Sequence, residues 1–141
     1  MRQVHGTVSK RDGACYEARF VADALANGLD ISRPEGDFLP YDLIVTKDGT
    51  TFFRVQIKGT NYLQPKKSET YKVQACSGFK KKFALDPKKV DVLAAYVAPA
   101  GAWYHVPIGN VKAPSMYLSP TRPSKGQYEV WKDAWNVYHA K

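Results

Sequence analysis

The 141-residue sequence contains only two cysteines, Cys15 and Cys76, and neither lies in a Cys-x-x-Cys pair or near a pair of histidines. A disulfide framework and a zinc site are therefore not indicated, and both cysteines are predicted to be small buried residues. The sequence also lacks an apolar N-terminal segment and any apolar run near the ~18 residues of a membrane span. We therefore expect a soluble, cytoplasmic protein.

Acidic residues are scarce relative to basic ones. There are 13 Asp and Glu against 21 Lys and Arg, which gives a formal net charge of +8. Nucleic acid is the expected partner, because cationic side chains that neutralise phosphates release condensed counterions, although ribosomal and membrane-surface proteins share such a charge. The apolar fraction of 44% argues against disorder, so we expect one globular domain over residues 1–141.

Hydrophobic periodicity predicts an α/β domain with a mixed central β-sheet flanked by helices. Helices are predicted at about residues 13–26 and 127–139, and the aromatic stripe of the second helix is expected to pack in the core. Strands are predicted at Asp30–Ser32 and at residues 42–45, 51–58, 71–76, 90–97 and 102–108. Residues 111–126, in a region with four prolines, are predicted to be a loop.

The most informative segment is residues 40–60, PYDLIVTKDGTTFFRVQIKGT, which reads as two strands joined at Asp48-Gly49. Asp42 opens the first strand ahead of an apolar run, and an aspartate that opens a buried strand needs a partner. Gln56 and Lys58 close the second strand and share one face, because strand side chains alternate. The alternative is that Gln56 and Lys58 belong to an exposed strand face.

A carboxylate, an amide oxygen and an ammonium group at one place suit a hard cation beside a phosphate. Mg²⁺ takes few protein ligands and keeps its other positions for water and phosphate oxygens. In this interpretation Asp42 and Gln56 bind Mg²⁺ or Mn²⁺, and Lys58 orients the attacking water or offsets charge on the phosphate. The predicted chemistry is metal-assisted hydrolysis of phosphodiester bonds.

The order of these motifs resembles the PD-(D/E)XK nuclease superfamily in its Q-x-K variant, with Pro40-Tyr41-Asp42 in the place of the family's Pro-Asp. Residues 13–17 resemble the start of the helix that supplies an extra acidic residue. The strand pair at residues 90–97 and 103–107 is similar to that of small archaeal Holliday-junction resolvases and intron-encoded homing endonucleases. The resemblance runs over residues 13–111.

The resemblance implies a restriction-endonuclease-like core and a DNA endonuclease that acts on duplex or branched DNA. Because one small domain carries one active site, cutting two strands implies a homodimer or homotetramer. Glu17 is implied to help hold the metal or its water; the alternative is a solvated glutamate in the first turn of the helix. Asp37 is expected to be a turn residue, the alternative being that it assists at the site, and Asp91 is expected to be structural.

Six lysines are predicted to contact DNA phosphates. They lie in a polar loop, on the following strand and between two phenylalanines: Lys66, Lys67, Lys72, Lys80, Lys81 and Lys82. For the last three, the alternative is a solvated turn between two core anchors.

The competing function is an inactive basic module that binds nucleic acid. Glu17 together with Asp42 favours the nuclease, since a binding module needs no second carboxylate at the same point. Gln56 is a neutral ligand and binds Mg²⁺ more weakly than a carboxylate, which argues against a fully occupied second metal site. The pattern fits junctions and linear sites alike, and does not separate DNA from RNA.

Overall fold

The computed structural model describes residues 8–61, 69–77, 83–122 and 126–141. Helix α1 spans Lys10–Ala26, and the Ser9 hydroxyl caps it by accepting a hydrogen bond of 3.1 Å from the backbone N–H of Asp12. This cap starts the helix three residues before the predicted position, since a serine oxygen satisfies an N–H of the first turn. Among the described helices, none is long and apolar enough to cross a membrane.

The strands form one principal sheet and two small pairs. They are β1 (Asp30–Ser32), β2 (Leu43–Thr46), β3 (Phe52–Thr60), β4 (Tyr71–Gln74), β5 (Cys76–Ser77), β6 (Phe83–Ala84), β7 (Val92–Val97), β8 (Ala102–Pro107) and β9 (Ser115–Leu118). The principal sheet has the order β1-β2-β3-β7-β8, in which only β3 and β7 are parallel. The predicted α/β fold with a mixed central sheet is confirmed.

The hairpin between β2 and β3 turns at Asp48 and Gly49, as predicted. The Asp48 Oδ1 atom accepts hydrogen bonds of 2.8 Å from the backbone N–H groups of Thr50 and Thr51. Gly49 has φ = 78°, a left-handed conformation that a residue without Cβ adopts freely. The turn therefore fixes the register of β3 against β2, with Leu43 opposite Val55.

Alternate residues of the central strands pack into two cores. The first core contains Tyr16 and Phe20 of α1 together with alternate residues of β3 and β7, among them Val55 and Ala94. The second core contains the intervening residues of β7, such as Leu93, packed with β4, β8 and β9. Strand β7 is therefore buried on both faces, as its apolar composition predicts.

Helix α1 approaches β3 most closely at Gly59. A Cβ atom placed on Gly59 would lie 2.2 Å from the Cδ2 atom of the Tyr16 ring. The Tyr16 ring also packs at 5.7 Å from the ring of Tyr96. Only a residue without a side chain fits between α1 and β3 at this point.

Arg54 and Asp91 join the start of β3 to the chain just before β7. Asp91 accepts hydrogen bonds from the backbone N–H, Nε and Nη2 of Arg54 at 2.8, 3.0 and 3.0 Å. Partial burial opposes ionisation of Asp91, but the Arg54 hydrogen bonds outweigh it, so the pKa of Asp91 lies below its ordinary value. These contacts agree with the structural role predicted for Asp91.

The helix predicted at residues 127–139 is wrong. The structure has two short 3₁₀ helices, Glu129–Trp131 and Trp135–His139, separated by Lys132 in an extended conformation and Asp133 at φ = 54°. The physical reason is that Tyr128 is buried in the second core and Tyr138 in the first. One continuous helix presents residues spaced by three and four on a single face, so the chain must break to reach both cores.

Three local predictions also need correction. The predicted loop at residues 111–126 contains β9, which pairs with β4. The predicted strand at residues 71–76 is interrupted at Ala75: its N–H donates to the Pro114 carbonyl at 2.7 Å in the β4–β9 register, but Pro114 has no N–H that could return a bond. Cys76 is buried as predicted, but Cys15 is exposed because it lies on the outer side of α1; both thiols are free.

Gly59→Ala is expected to lower the free energy of unfolding by about 1–3 kcal/mol, because the added methyl group overlaps the Tyr16 ring. Gly109→Ala is the matched control, since a Cβ there meets no heavy atom within 4 Å. Urea unfolding of both variants measures the difference. Equal midpoints for the two variants would show that α1 does not depend on the close approach at Gly59.

Candidate active site

Asp42 lies just before β2 and is held to β3 by two hydrogen bonds. Its backbone N–H donates to the Val55 carbonyl at 2.8 Å, and its Oδ2 atom accepts from the Ile57 N–H at 2.7 Å. Extending the β2–β3 register by one residue places Asp42 opposite Gln56. The hairpin thus brings the carboxylate beside the predicted amide ligand.

The Asp42 carboxyl group is poorly solvated and has acidic neighbours. Burial raises its pKa above the ordinary value, and the nearby Glu17 and Asp37 act in the same direction. The Ile57 N–H and Lys58 oppose this shift but do not cancel it. The ionised carboxylate is therefore a destabilised anion that a bound cation would favour.

A cavity of about 460 Å³ opens beside Asp42. Six charged or amide side chains contribute to its lining: Lys10, Glu17, Arg33, Asp37, Asp42 and Gln56. Three of the four predicted catalytic residues, Glu17, Asp42 and Gln56, therefore come together at one cavity. Lys58 does not line it.

Lys58 and Gln56 both lie on β3 and alternate with the buried residues Val55 and Ile57, as predicted. Both side chains are half-buried, and neither forms a hydrogen bond or ion pair with any part of the chain that the structure describes. The ammonium of Lys58 is close enough to Asp42 to favour its ionised form. The structure therefore keeps Lys58 near the carboxylate but outside the cavity wall.

Glu17 lies on α1, one residue after Tyr16, and pairs with Arg33. The Arg33 Nη1 atom donates to Glu17 Oε1, which joins the helix to the segment that follows β1. The Glu17 side chain is 29% exposed and that of Arg33 is 53% exposed. Glu17 is thus neither a fully solvated glutamate nor a free ligand in this arrangement.

The donor atoms at the cavity fit a hard divalent cation. Oδ1 of Asp42 accepts no hydrogen bond from the described residues, and the Gln56 amide is equally unengaged. No three His, Cys, Asp or Glu side chains of the described residues converge as a metal-binding group. One carboxylate and one amide oxygen make a sparse site, which suits Mg²⁺ because this ion keeps several water ligands.

Two charged residues of the cavity, Lys10 and Arg33, have no role in the sequence-based prediction. Asp37, expected to be a turn residue, is exposed and lines the cavity, where it also raises the pKa of Asp42. Arg33 is paired with a residue 16 positions earlier in the chain. Arg33 carries no local sequence signal, because its contact with Glu17 arises only when α1 and the segment after β1 are assembled.

The predicted DNA-contacting lysines lie mostly outside the described residues. This applies to Lys66, Lys67, Lys80, Lys81 and Lys82. Lys72 is described and is exposed on β4. Its predicted contact with DNA phosphate stays a prediction.

Comparison with known proteins identifies the family of this fold and site. The model of the PD-(D/E)XK endonuclease family matches residues 7–138. The chain belongs to the PD-(D/E)XK endonuclease family. The resemblance carried by Asp42, Gln56 and Lys58 is thereby confirmed at the level of the family.

Two solved structures are similar to this chain, and the first of them supports the fold. The chain is similar to the bacterial homing endonuclease I-Ssp6803I, with 24% identity over 93% of this chain and 91% of that chain, and a TM-score of 0.73. It is also similar to Hjc, a Holliday junction resolvase of Archaeoglobus fulgidus, with 14% identity over 82% of this chain and 90% of that chain, and a TM-score of 0.49. No curated protein sequence matched the chain.

The raised pKa of Asp42 predicts a pH-dependent stability difference for Asp42→Asn. In the unfolded chain the carboxyl ionises near pH ~4, whereas in the folded protein it ionises at a higher pH. Folding stability therefore falls as pH rises between these two values. The Asn variant avoids this loss, and its amide oxygen still accepts the Ile57 N–H.

In EDTA, Asp42→Asn is accordingly expected to melt above the wild type at pH 7, with the gap narrowing towards pH 4. Asp30→Asn, an exposed strand residue away from the cavity, is the control and should show no such pH-dependent gap. Thermal denaturation followed by circular dichroism measures both. A wild type that is the more stable protein at pH 7 would contradict a destabilised Asp42 carboxylate.

Proposed function

We propose that this protein is a divalent-metal-dependent DNA endonuclease that hydrolyses phosphodiester bonds. The observation that carries the proposal is the desolvated Asp42 carboxylate, which faces a cavity with two further carboxylates and the Gln56 amide. Membership of the PD-(D/E)XK endonuclease family supports nuclease activity. The net charge of +8 supports a polyanionic substrate.

In this proposal Asp42 and Gln56 bind Mg²⁺ or Mn²⁺, and Glu17 supports them. The bound metal supplies Lewis-acid activation of the phosphate and of a water molecule. Asp42 is pre-positioned for this role, because its second oxygen is fixed by the Ile57 N–H. Lys58 lies two residues after Gln56 on the same face and offsets negative charge that develops on the phosphate.

The proposed substrate class is duplex or branched DNA, of the kind cut by homing endonucleases or Holliday-junction resolvases. Both types cut two strands, and one domain offers one Asp42 cavity. A homodimer or homotetramer therefore fits the proposal, with two cavities acting on opposite strands. Comparing nicking of linear duplexes with that of synthetic four-way junctions separates the two types.

The central test is metal-dependent cleavage by Asp42→Asn. The variant is expected to lose at least about 10² in cleavage rate, because the anionic metal ligand is gone. DNA binding should persist or tighten, since one negative charge near the phosphates is removed. Nicking of supercoiled plasmid with Mg²⁺, with and without EDTA, measures the rate, and fluorescence anisotropy measures binding.

Asp30→Asn serves as the charge-matched control for Asp42→Asn and should cleave as the wild type does.

Lys58→Ala should also abolish cleavage while leaving Mg²⁺ affinity nearly unchanged, because an ammonium group does not ligate the ion. A wild type that binds DNA but cleaves none under any metal condition would favour the inactive binding module. Retention of more than about a tenth of the rate by Asp42→Asn would exclude its role as metal ligand.

Gln56 provides a second prediction, because the family's usual residue here is acidic. Gln56→Leu keeps approximate size but removes the oxygen, so it should raise the Mg²⁺ concentration needed for half-maximal cleavage. Gln56→Glu adds a charged ligand and should lower the Mg²⁺ concentration needed for half-maximal cleavage. The same variant should also bind Mn²⁺ more tightly. Titrating cleavage against Mg²⁺ for the three proteins decides the matter: superimposable curves would mean that Gln56 is not a ligand.

A further inference from the structure

The cavity beside Asp42 contains a cation that the proposed hydrolysis does not use. Arg33 follows β1 and lines the cavity together with Glu17, Asp42 and Gln56. Its guanidinium is paired with Glu17, the one carboxylate that the family resemblance assigns as support for the metal. The same carboxylate therefore has two competing partners, an arginine and a metal ion.

The Glu17–Arg33 pair is suited to exchange. Arg33 is more than half exposed, and ion pairs at such exposure contribute little to stability because solvent screens them. A guanidinium offers a planar fork of N–H donors that matches the oxygens of a phosphodiester. A phosphate in the cavity could therefore bind Arg33, because the ion pair that Arg33 would give up is weak.

The charge balance of the cavity gives a direction to this exchange. Its lining carries two cations, Lys10 and Arg33, and three carboxylates, Glu17, Asp37 and Asp42. While Arg33 stays on Glu17, it both occupies a metal-supporting oxygen and repels an incoming divalent cation. Transfer of Arg33 to a phosphate removes both obstacles at once.

We propose that Arg33 is a phosphate-binding residue that exchanges Glu17 for the DNA backbone and thereby releases Glu17 to the metal. This proposal rests on the proposed function of the same cavity. Substrate and metal then bind cooperatively, since each favours the arrangement in which the ion pair is open. The metal site is complete only when DNA is present.

Metal affinity of the DNA-free protein gives the first test, with Mn²⁺ as the probe in isothermal titration calorimetry. Arg33→Gln is expected to bind Mn²⁺ about two- to fivefold more tightly, the fold-change that a partly exposed ion pair can be worth. In a Glu17→Gln background, Arg33→Gln should change Mn²⁺ affinity by less than half as much. Arg33→Lys keeps the charge and should bind Mn²⁺ as the wild type does.

Cleavage gives the second test, by nicking of supercoiled plasmid at saturating Mn²⁺. Arg33→Gln is expected to lose about 10² in rate despite its tighter metal binding, because the phosphate contact is gone. The nicking rate of Arg33→Lys should lie between those of the wild type and Arg33→Gln, since an ammonium group lacks the planar fork of a guanidinium. The control is Arg19→Gln: Arg19 is paired with Asp23 on the same helix, is 57% exposed and does not line the cavity.

Opposite signs in the two measurements distinguish partner exchange from a structural role, which would weaken both. The partner-exchange proposal is overturned if Arg33→Gln leaves Mn²⁺ affinity unchanged, leaves nicking unchanged, or weakens both. If Arg33→Gln does not fold, the cleavage rate of Arg33→Lys is the deciding measurement. Nicking by Arg33→Lys at the rate of the wild type overturns the partner exchange. A wild type that neither binds Mn²⁺ nor nicks DNA overturns the proposed function as well, whereas an active wild type with an unaffected variant overturns only the exchange.

Discussion

The arrangement depends on one energetically costly feature, a carboxylate placed in poorly solvated surroundings at the start of β2. Asp42 is stabilised there by the Ile57 N–H, while burial, Glu17 and Asp37 all disfavour its charge. Asp42 packs as part of the sheet, because its own N–H continues the pairing to Val55. The carboxylate therefore cannot turn away from the cavity without breaking its hydrogen bond with the Ile57 N–H. Such a fixed, destabilised anion is what a metal-dependent site requires.

The residues around Asp42 are positioned by contacts that lie next to them in the chain. Glu17 follows Tyr16, and Lys58 precedes Gly59, so the close packing of Tyr16 on Gly59 sets the distance between the helix and the strand that carry these two groups. Arg54, two residues before Gln56, fixes β3 through its pair with Asp91. Packing contacts thus supply the precision, and the charged groups only occupy the places that the packing creates. Catalytic groups need such support, because their geometry must be held by the packing of the residues around them.

Features with local causes could be predicted from the sequence. Asp30–Ser32, the Asp48-Gly49 turn and the alternation of β3 each depend on neighbouring residues, and each is found as expected. The spacing of the aromatic residues in the C-terminal segment predicted one helix wrongly, because these residues pack into two different cores and not on one helix face. In the site, Asp42 and Gln56 could be placed together because one hairpin carries both. Arg33 could not, since α1, β1 and β2 must assemble before this residue shares a cavity with them.

Gln56 and Arg33 change the electrostatics of this cavity in the same direction. A glutamine removes one negative charge from the place where the family usually has an acid, and Arg33 neutralises a second through Glu17. Among the cavity's carboxylates, Asp42 and Asp37 form no ion pair with the residues that the structure describes, and Asp42 has a raised pKa. A metal ion bound as proposed would reverse that shift, because a nearby divalent charge stabilises the ionised form more than any single lysine does. In the proposed site, metal binding and ionisation of Asp42 would therefore be coupled, and the weaker attraction of the neutral Gln56 oxygen would be offset by relief of an unfavourable buried charge.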